Sequence, residues 1–198
     1  MSFDPVNPSS RRRWLQTGLK AGAALAAVSV LPTPALAQSK VLRIGFQKGG
    51  LLYLVRSQGS IEKALAPLSW SVTWHEFPAG PQLLEALNAA SIDFGYTGAP
   101  PPIFAQAAGK DIVYVGAETS GESVEAIVVK PDSPIRQVAD LRGKRVAVQK
   151  GSSSNYLLLA ALRHGGLAFS DIEPVYLPPA DGRAAFESDR VDAWVVWD

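Results

Sequence analysis

A phrase repeated about a hundred residues apart constrains this chain more than any single residue does. Arg43-Ile-Gly-Phe-Gln-Lys-Gly-Gly50 returns as Arg145-Val-Ala-Val-Gln-Lys-Gly-Ser152. A second pair follows at similar separation, Leu87…Ile92-Asp93-Phe94 against Phe186…Val191-Asp192-Ala193. Each copy reads as a short apolar strand, a small-residue loop and then a helix, the arrangement that turns backbone N–H groups toward an anion. Two such units predict two lobes with a site between them.

The rest of the sequence alternates in the same way. Residues 41–46 read as a buried parallel strand and 51–65 as a helix carrying Leu51, Leu54, Val55 and Ile61 toward a sheet. A strand over 70–77 precedes a helix opened by Pro81, and 92–96 is the next short strand. Residues 103–108 read as helix and 112–116 as strand. The polar segment 118–122 is the expected crossing between lobes, giving a first lobe over 38–122 and a second over 123–198. In the second, 126–129, 145–149, 173–177 and 191–197 read as strands, and 134–141, 155–163 and 181–188 as helices. Alternating strand and helix predicts an α/β fold, each lobe a doubly wound, mainly parallel sheet. A polypeptide ending on an apolar strand leaves sheet surface uncovered, so the chain is expected to continue past Asp198, with the C-terminal part of the second lobe missing.

The formal charge of +1 conceals an acidic body. Residues 1–37 hold four of the 19 Lys and Arg residues and one of the 18 Asp and Glu residues, which leaves the remainder with an excess of acid. Those 37 residues have the form of a signal peptide: Arg11-Arg12-Arg13-Trp14-Leu15, an apolar run over 21–31, and Ala35-Leu36-Ala37 as cleavage site. The arginine pair fits a twin-arginine signal, with Trp14 and Gln16 where Phe and Lys are usual; Sec export is the alternative. The apolar run is shorter than the ~17 to 25 residues a bilayer span needs, so a soluble exported protein is expected. An acidic body without a basic patch argues against nucleic acid as a partner. Zero cysteines exclude disulfides and thiolate metal sites, and His75 and His164 are too few to suggest a metal centre. No cofactor is expected.

Ligands of open α/β sheets bind beyond the carboxyl ends of the strands. Four segments hold that position here: 47–50, 97–98, 151–155 and 197–198. Gln47, Gly49, Thr97, Gly98, Ser152, Ser153, Ser154, Asn155, Trp197 and Asp198 are therefore the candidate ligand-binding residues. One serine suffices to cap a helix, so Ser152, Ser153, Ser154 and Asn155 leave donors to spare for an anion. Lys48 and Lys150 read most simply as solvent-exposed neighbours of those loops. Trp194 and Trp197 face opposite ways in an uninterrupted strand, with Trp194 assigned to core and Trp197 to an apolar ligand tail. Trp70 and Trp74 read as structural. Asp93 and Asp192 read as turn or helix-end residues, not as a catalytic pair. Neither histidine has a serine or carboxylate at a nucleophile spacing, and no G-x-S-x-G, Walker loop or G-x-G-x-x-G occurs, so no enzymatic machinery is visible.

The motifs at 77–87 (Phe-Pro-Ala-Gly-Pro-Gln-Leu-Leu-Glu-Ala-Leu), 101–109, 148–154 and 191–198 resemble those of periplasmic aliphatic-sulfonate-binding proteins of ABC importers, and the resemblance runs from about Leu42 to the last residue. It implies a two-lobed type II binding-protein fold, monomeric, that closes on a small organic sulfonate anion in the periplasm and delivers it to a membrane permease as a source of sulfur. Taurine, nitrate or another small anion is the alternative ligand; a cleft enzyme on the same architecture is the reading from another class. Ala99 stands where the family often has an acidic residue after Thr-Gly, which implies a less polar or roomier pocket.

Overall fold

The computed structural model describes residues 40–118 and 124–197. The leader read over 1–37, most of the crossing segment and Asp198 lie outside these residues. None of the described helices is long and apolar enough to cross a membrane.

The first sheet is built on β1 (Lys40–Phe46), which lies between β2 (Trp70–Glu76) and β3 (Phe94–Gly95), both parallel to it. Side chains alternate across a strand, so Leu42, Ile44 and Phe46 share one face, where they pack with Leu52, Ile61, Val72 and Trp74. Trp74 meets Phe46 edge-on at 6.0 Å and donates its indole N–H to Glu62 Oε1 at 2.7 Å, which gives this strand tryptophan a structural role. The opposite face carries Gly45, and a Cβ there would stand 2.6 Å from Ile92 Cδ1. That missing side chain lets α3 (Gly80–Asn88) bring Leu83 down onto the sheet.

The expected helix over 51–65 is two helices, α1 (Leu51–Gln58) and α2 (Ser60–Leu65). Gly59 separates them at φ 61°, its N–H bonded to Arg56 O, because a left-handed residue ends a helix and redirects the chain. Helix α4 (Pro100–Ala107) starts three residues before the expected position. Prolines 100 to 102 occupy its first turn, where their missing N–H groups have no intrahelical partner to lose. Residues 112–116 make no sheet pairing, with Val113 82% and Val115 74% exposed. β-Branched residues favour extended chain, but a strand also needs a neighbour, and the described residues supply none.

The second sheet has the order β4-β7-β5-β6, from β4 (Ala126–Val128), β5 (Arg145–Val148), β6 (Glu173–Tyr176) and β7 (Ala193–Val196). β5 is parallel to both β6 and β7, whereas β4 runs antiparallel to β7 at the edge. Helix α5 (Ser153–His164) covers one face through Leu158 and Leu162 against Val146, Val148 and Val195. Helix α6 (Pro179–Glu187) covers the other through Ala185 and Phe186 against Ala147, Val191 and Trp194. The helix expected over 134–141 is reduced to a 3-10 turn, Val138–Leu141. Asp140 stops it from extending upstream by accepting from the N–H groups of Arg136 (2.9 Å) and Gln137 (3.1 Å), a local bond that competes with helix.

One device recurs in both sheets. Asp93 Oδ2 accepts from Arg43 N (2.9 Å) and Nε (3.0 Å), and Oδ1 from Nη2 (2.6 Å), while Asp93 N donates to Arg43 O (2.8 Å). Asp192 does the same with Arg145, at 2.8, 3.2, 2.9 and 2.8 Å. Each aspartate stands just before its strand and fixes the first pairing, Ile44 with Phe94 and Val146 with Ala193. They are thus strand clamps and not helix ends. The forked hydrogen bonding from Arg43 holds the Asp93 carboxyl at about 2, down from 3.8, and Arg145 lowers Asp192 in the same way.

A carboxylate with a lowered folded pKa contributes stability that is fully present above 3.8 and is lost as pH falls toward about 2. Asp93→Asn should lower the melting temperature at neutral pH, and the gap to the wild type should close between pH 4 and 2. Thermal melts of both proteins across that range check this; a gap that persists at pH 2 contradicts it.

Candidate ligand cleft

The carboxyl ends of the central strands deliver their loops to one cleft, whose empty volume is ≈ 670 Å³ counting its open mouth. Strand β1 brings Gln47, Lys48, Gly49 and Gly50; β3 brings Tyr96, Thr97 and Gly98; β5 brings Ser152 and Ser153; β7 brings Trp197. Gly80 and Pro101, at the starts of α3 and α4, complete the floor, and Glu118, Val124 and Glu125 stand on the wall.

Of the candidates read from sequence, Gln47, Gly49, Thr97, Gly98, Ser152, Ser153 and Trp197 line this cleft. Ser154 is fully buried, its Oγ without a hydrogen-bond partner, and it is not among the lining residues. Asn155 turns Oδ1 back to accept from Gly151 N at 3.0 Å. Asp198 is outside the described residues. Sequence reasoning left out Gly80, Tyr96, Pro101, Glu118, Val124 and Glu125, and it turned Leu51 toward the sheet, whereas Leu51 is exposed and lines the cleft. Gly80 had a signal, since the Pro-Ala-Gly-Pro segment also opens a helix after the carboxyl end of a strand. Glu118 and Glu125 flank the crossing segment, where neither periodicity nor a motif marks a site.

The serine run divides by role. Ser152 caps α5: its Oγ accepts from Asn155 N at 3.2 Å and donates to Gln149 O at 2.7 Å, so its hydroxyl proton is committed. Ser153 faces the cleft. Thr97 lines the cleft too, and its Oγ1 is buried with no hydrogen-bond partner. A hydroxyl left unbonded in a folded protein costs about 1 to 3 kcal/mol, which a ligand acceptor would offset.

Two close approaches tie the walls together. A Cβ on Gly98 would lie 2.9 Å from Ser153 Cβ, and one on Gly80 would lie 2.1 Å from Thr97 Oγ1. Gly98 therefore meets the opening turn of α5 directly, and Gly80 leaves room for the Thr97 hydroxyl. Gln47 is 8% exposed and donates Nε2 to Tyr96 O at 3.1 Å, joining the first loop to the second.

The electrostatics favour an acceptor. The helices that open on the cleft, α1, α3, α4 and α5, have no acidic residue in their first turns, whereas α2 and α6 carry Glu62 and Asp181 there. Gly50 and Ala79 make no side-chain caps, so the starts of α1 and α3 keep backbone N–H groups for another partner. A helix start contributes ~0.3 to 1 kcal/mol to a nearby negative charge, and up to ~2 when partly buried. Lys48 is engaged with Glu76 at 3.4 Å, and Lys150 lies 5.4 Å over the Tyr176 ring. Tyr96 OH donates to Glu118 Oε1 at 2.7 Å; burial, then that bond, pushes its phenol up to about 12, so it stays protonated. The lining groups can hold an acceptor-rich anion, with Trp197 beside it as apolar surface.

The chain is similar to known proteins over most of its length. Residues 75–198 match the NMT1/THI5-like family. A protein of Escherichia coli (strain K12), named for binding aliphatic sulfonates, is 55% identical over 177 residues, covering 89% of this chain and 55% of that one. The crystal structure of the periplasmic aliphatic sulphonate binding protein SsuA from Escherichia coli is 57% identical with a TM-score of 0.67, over 80% of this chain and 54% of its own. The alkanesulfonate-binding protein SsuA from Xanthomonas axonopodis pv. citri, bound to MOPS, is 51% identical with a TM-score of 0.75 and the same coverage. This chain spans about half the length of these relatives. With two sheet regions in a periplasmic-binding-protein-like α/β fold, it belongs to the NMT1/THI5-like family and, over most of its length, is similar to the SsuA-type proteins.

Proposed function

We propose that this protein binds an aliphatic sulfonate in the cleft and delivers it unchanged to the permease of an ABC importer, as a route to sulfur. The observation that carries the reading is the buried, unpartnered Thr97 hydroxyl in a cleft where acid-free helix starts converge. A sulfonate stays ionised across the physiological range and offers only acceptor oxygens, so neutral donors match it without proton exchange. The SsuA of Xanthomonas, half identical to this chain, is bound to MOPS, itself a sulfonate.

In this reading the architecture is the two-lobed type II binding protein, with the first lobe over 38–122 and the second over 123–198. Residues 1–37 direct a monomer to the periplasm and are removed. Gln47, Gly49, Thr97, Gly98, Ser153 and Trp197 meet the ligand. Ser152 and Asn155 shape the loop that presents the backbone, and Ser154 stands behind it. Because both walls contribute, the ligand gains its full set of contacts only when they close, which converts binding into a conformation the permease can read.

Calorimetry of the purified protein with methanesulfonate, longer alkanesulfonates, taurine and nitrate should give tight binding of sulfonates; binding of nitrate with no sulfonate heat would overturn the assignment. Trp197→Ala should weaken octanesulfonate more than methanesulfonate, because each Å² of apolar tail it covers contributes about 25 cal/mol. Equal losses along the series would move Trp197 away from the tail. Gly98→Ala should reduce affinity for every sulfonate by a common factor, on the order of tenfold, since its Cβ obstructs closure against Ser153 and not the tail. A loss that varies with chain length would place Gly98 against the ligand's tail instead.

A further inference from the structure

Tyr96 lines the cleft, yet its hydroxyl has no proton left for a sulfonate. That proton goes to Glu118 Oε1 at 2.7 Å, and a sulfonate, which carries only acceptor oxygens, has nothing to donate in return. Burial and this bond push the phenol up to about 12, so it stays a donor across the physiological range. Its polar contact in the cleft is with Glu118.

An anion meets repulsion at Glu118. Together with Glu125 this residue brings negative charge to the cleft, whose lining cation, Lys48, is engaged with Glu76 at 3.4 Å. A carboxylate near a bound anion weakens it in proportion to the charge it turns toward the ligand. A phenol proton 2.7 Å away draws that charge onto Oε1 and fixes the direction of the carboxylate, as charge-assisted hydrogen bonds do.

Tyr96 is itself held in place. Its ring lies against Gly50, where a Cβ would stand 3.3 Å from Cδ1 and 3.4 Å from Cε1, and it packs on the cluster of Ile44, Phe46 and Leu52. Its carbonyl accepts from Gln47 Nε2 at 3.1 Å. Ring and backbone are therefore anchored at the start of α1 and the end of β1, and the phenol oxygen, rigid in the ring plane, is anchored with them.

We propose that Tyr96 is a positioning residue for anion binding: by holding the Glu118 carboxylate it keeps that charge from repelling the ligand, and its hydroxyl makes no bond to the ligand. This rests on the sulfonate reading and adds a residue that sets affinity through another side chain.

The test is calorimetry of the wild type, Y96F, E118Q and Y96F/E118Q with ethanesulfonate and hexanesulfonate, at low salt and in 1 M salt. Tyr96→Phe keeps the ring and its packing, and at low salt it should weaken both ligands by about tenfold. Adding Glu118→Gln should return affinity to within about threefold of the wild type, because the charge no longer held is gone. The Tyr96→Phe loss should also shrink in 1 M salt, where the screening length falls to about 3 Å. A Tyr96 that donated to the sulfonate, or that only supported the fold, would give a loss that neither Glu118→Gln nor salt relieves. Either of those results would overturn the proposal, as would Y96F binding as tightly as the wild type. If Y96F fails to fold, Glu118→Asp, which keeps the charge and withdraws it from the Tyr96 hydroxyl, should weaken both ligands while Glu118→Gln does not; unchanged affinity in the aspartate variant counts against the proposal. Sulfonate binding by the wild type without rescue in the double variant would sink this inference alone, whereas no binding of any sulfonate would sink the functional reading with it.

Discussion

The bond between an arginine at the start of a central strand and an aspartate before its neighbour recurs in both halves of this protein, and the cleft depends on it. Arg43 with Asp93 and Arg145 with Asp192 each join two strand ends through side chain and backbone at once. A one-residue slip in either pairing would reverse which side chains face the core. It would also move the loops at the opposite ends of the strands, which are the loops that line the cleft. These aspartates act at the end of the sheet remote from any ligand, yet they set the register from which Thr97 and Trp197 emerge.

Given that register, the cleft follows from helix starts rather than from charged side chains. Four helices open on it with no acid in their first turns, and the caps that exist, above all Ser152, shape the loop instead of filling the site. Neutral donors on the backbone avoid the desolvation of a buried cation. The glycines at 80 and 98 belong to the same design, because a side chain at either would occupy the space that Thr97 and Ser153 use.

Much of the fold was legible from residue pattern. The echo of 43–50 in 145–152 marked the central strand of each sheet, and alternating apolar runs located the strands at 70–76, 145–148 and 173–176 and the helix at 153–164. The misreadings have physical causes. Gly59 breaks a helix that side-chain periodicity alone made continuous, Asp140 keeps Arg136 and Gln137 out of a helix by accepting from their N–H groups, and 112–116 has strand propensity without a strand to pair with among the described residues. In the cleft, strand-end logic found Gln47, Thr97, Gly98 and Trp197, because position at a strand's carboxyl end is a topological property that local sequence reveals.

What the amino-acid sequence determined by itself was the kind of object: an α/β chain with two equivalent strand-loop-helix units and donor-rich loops, since periodicity, glycine and serine act over a few residues. Tertiary structure alone decided how the serines divide, that Asp93 and Asp192 clamp Arg43 and Arg145, and that Glu118 and Glu125 line the cleft. The clamps join groups 50 and 47 residues apart, and the burial of Ser154 beside a cleft-lining Ser153 is set by what packs around the loop, so only packing of the whole chain specifies them.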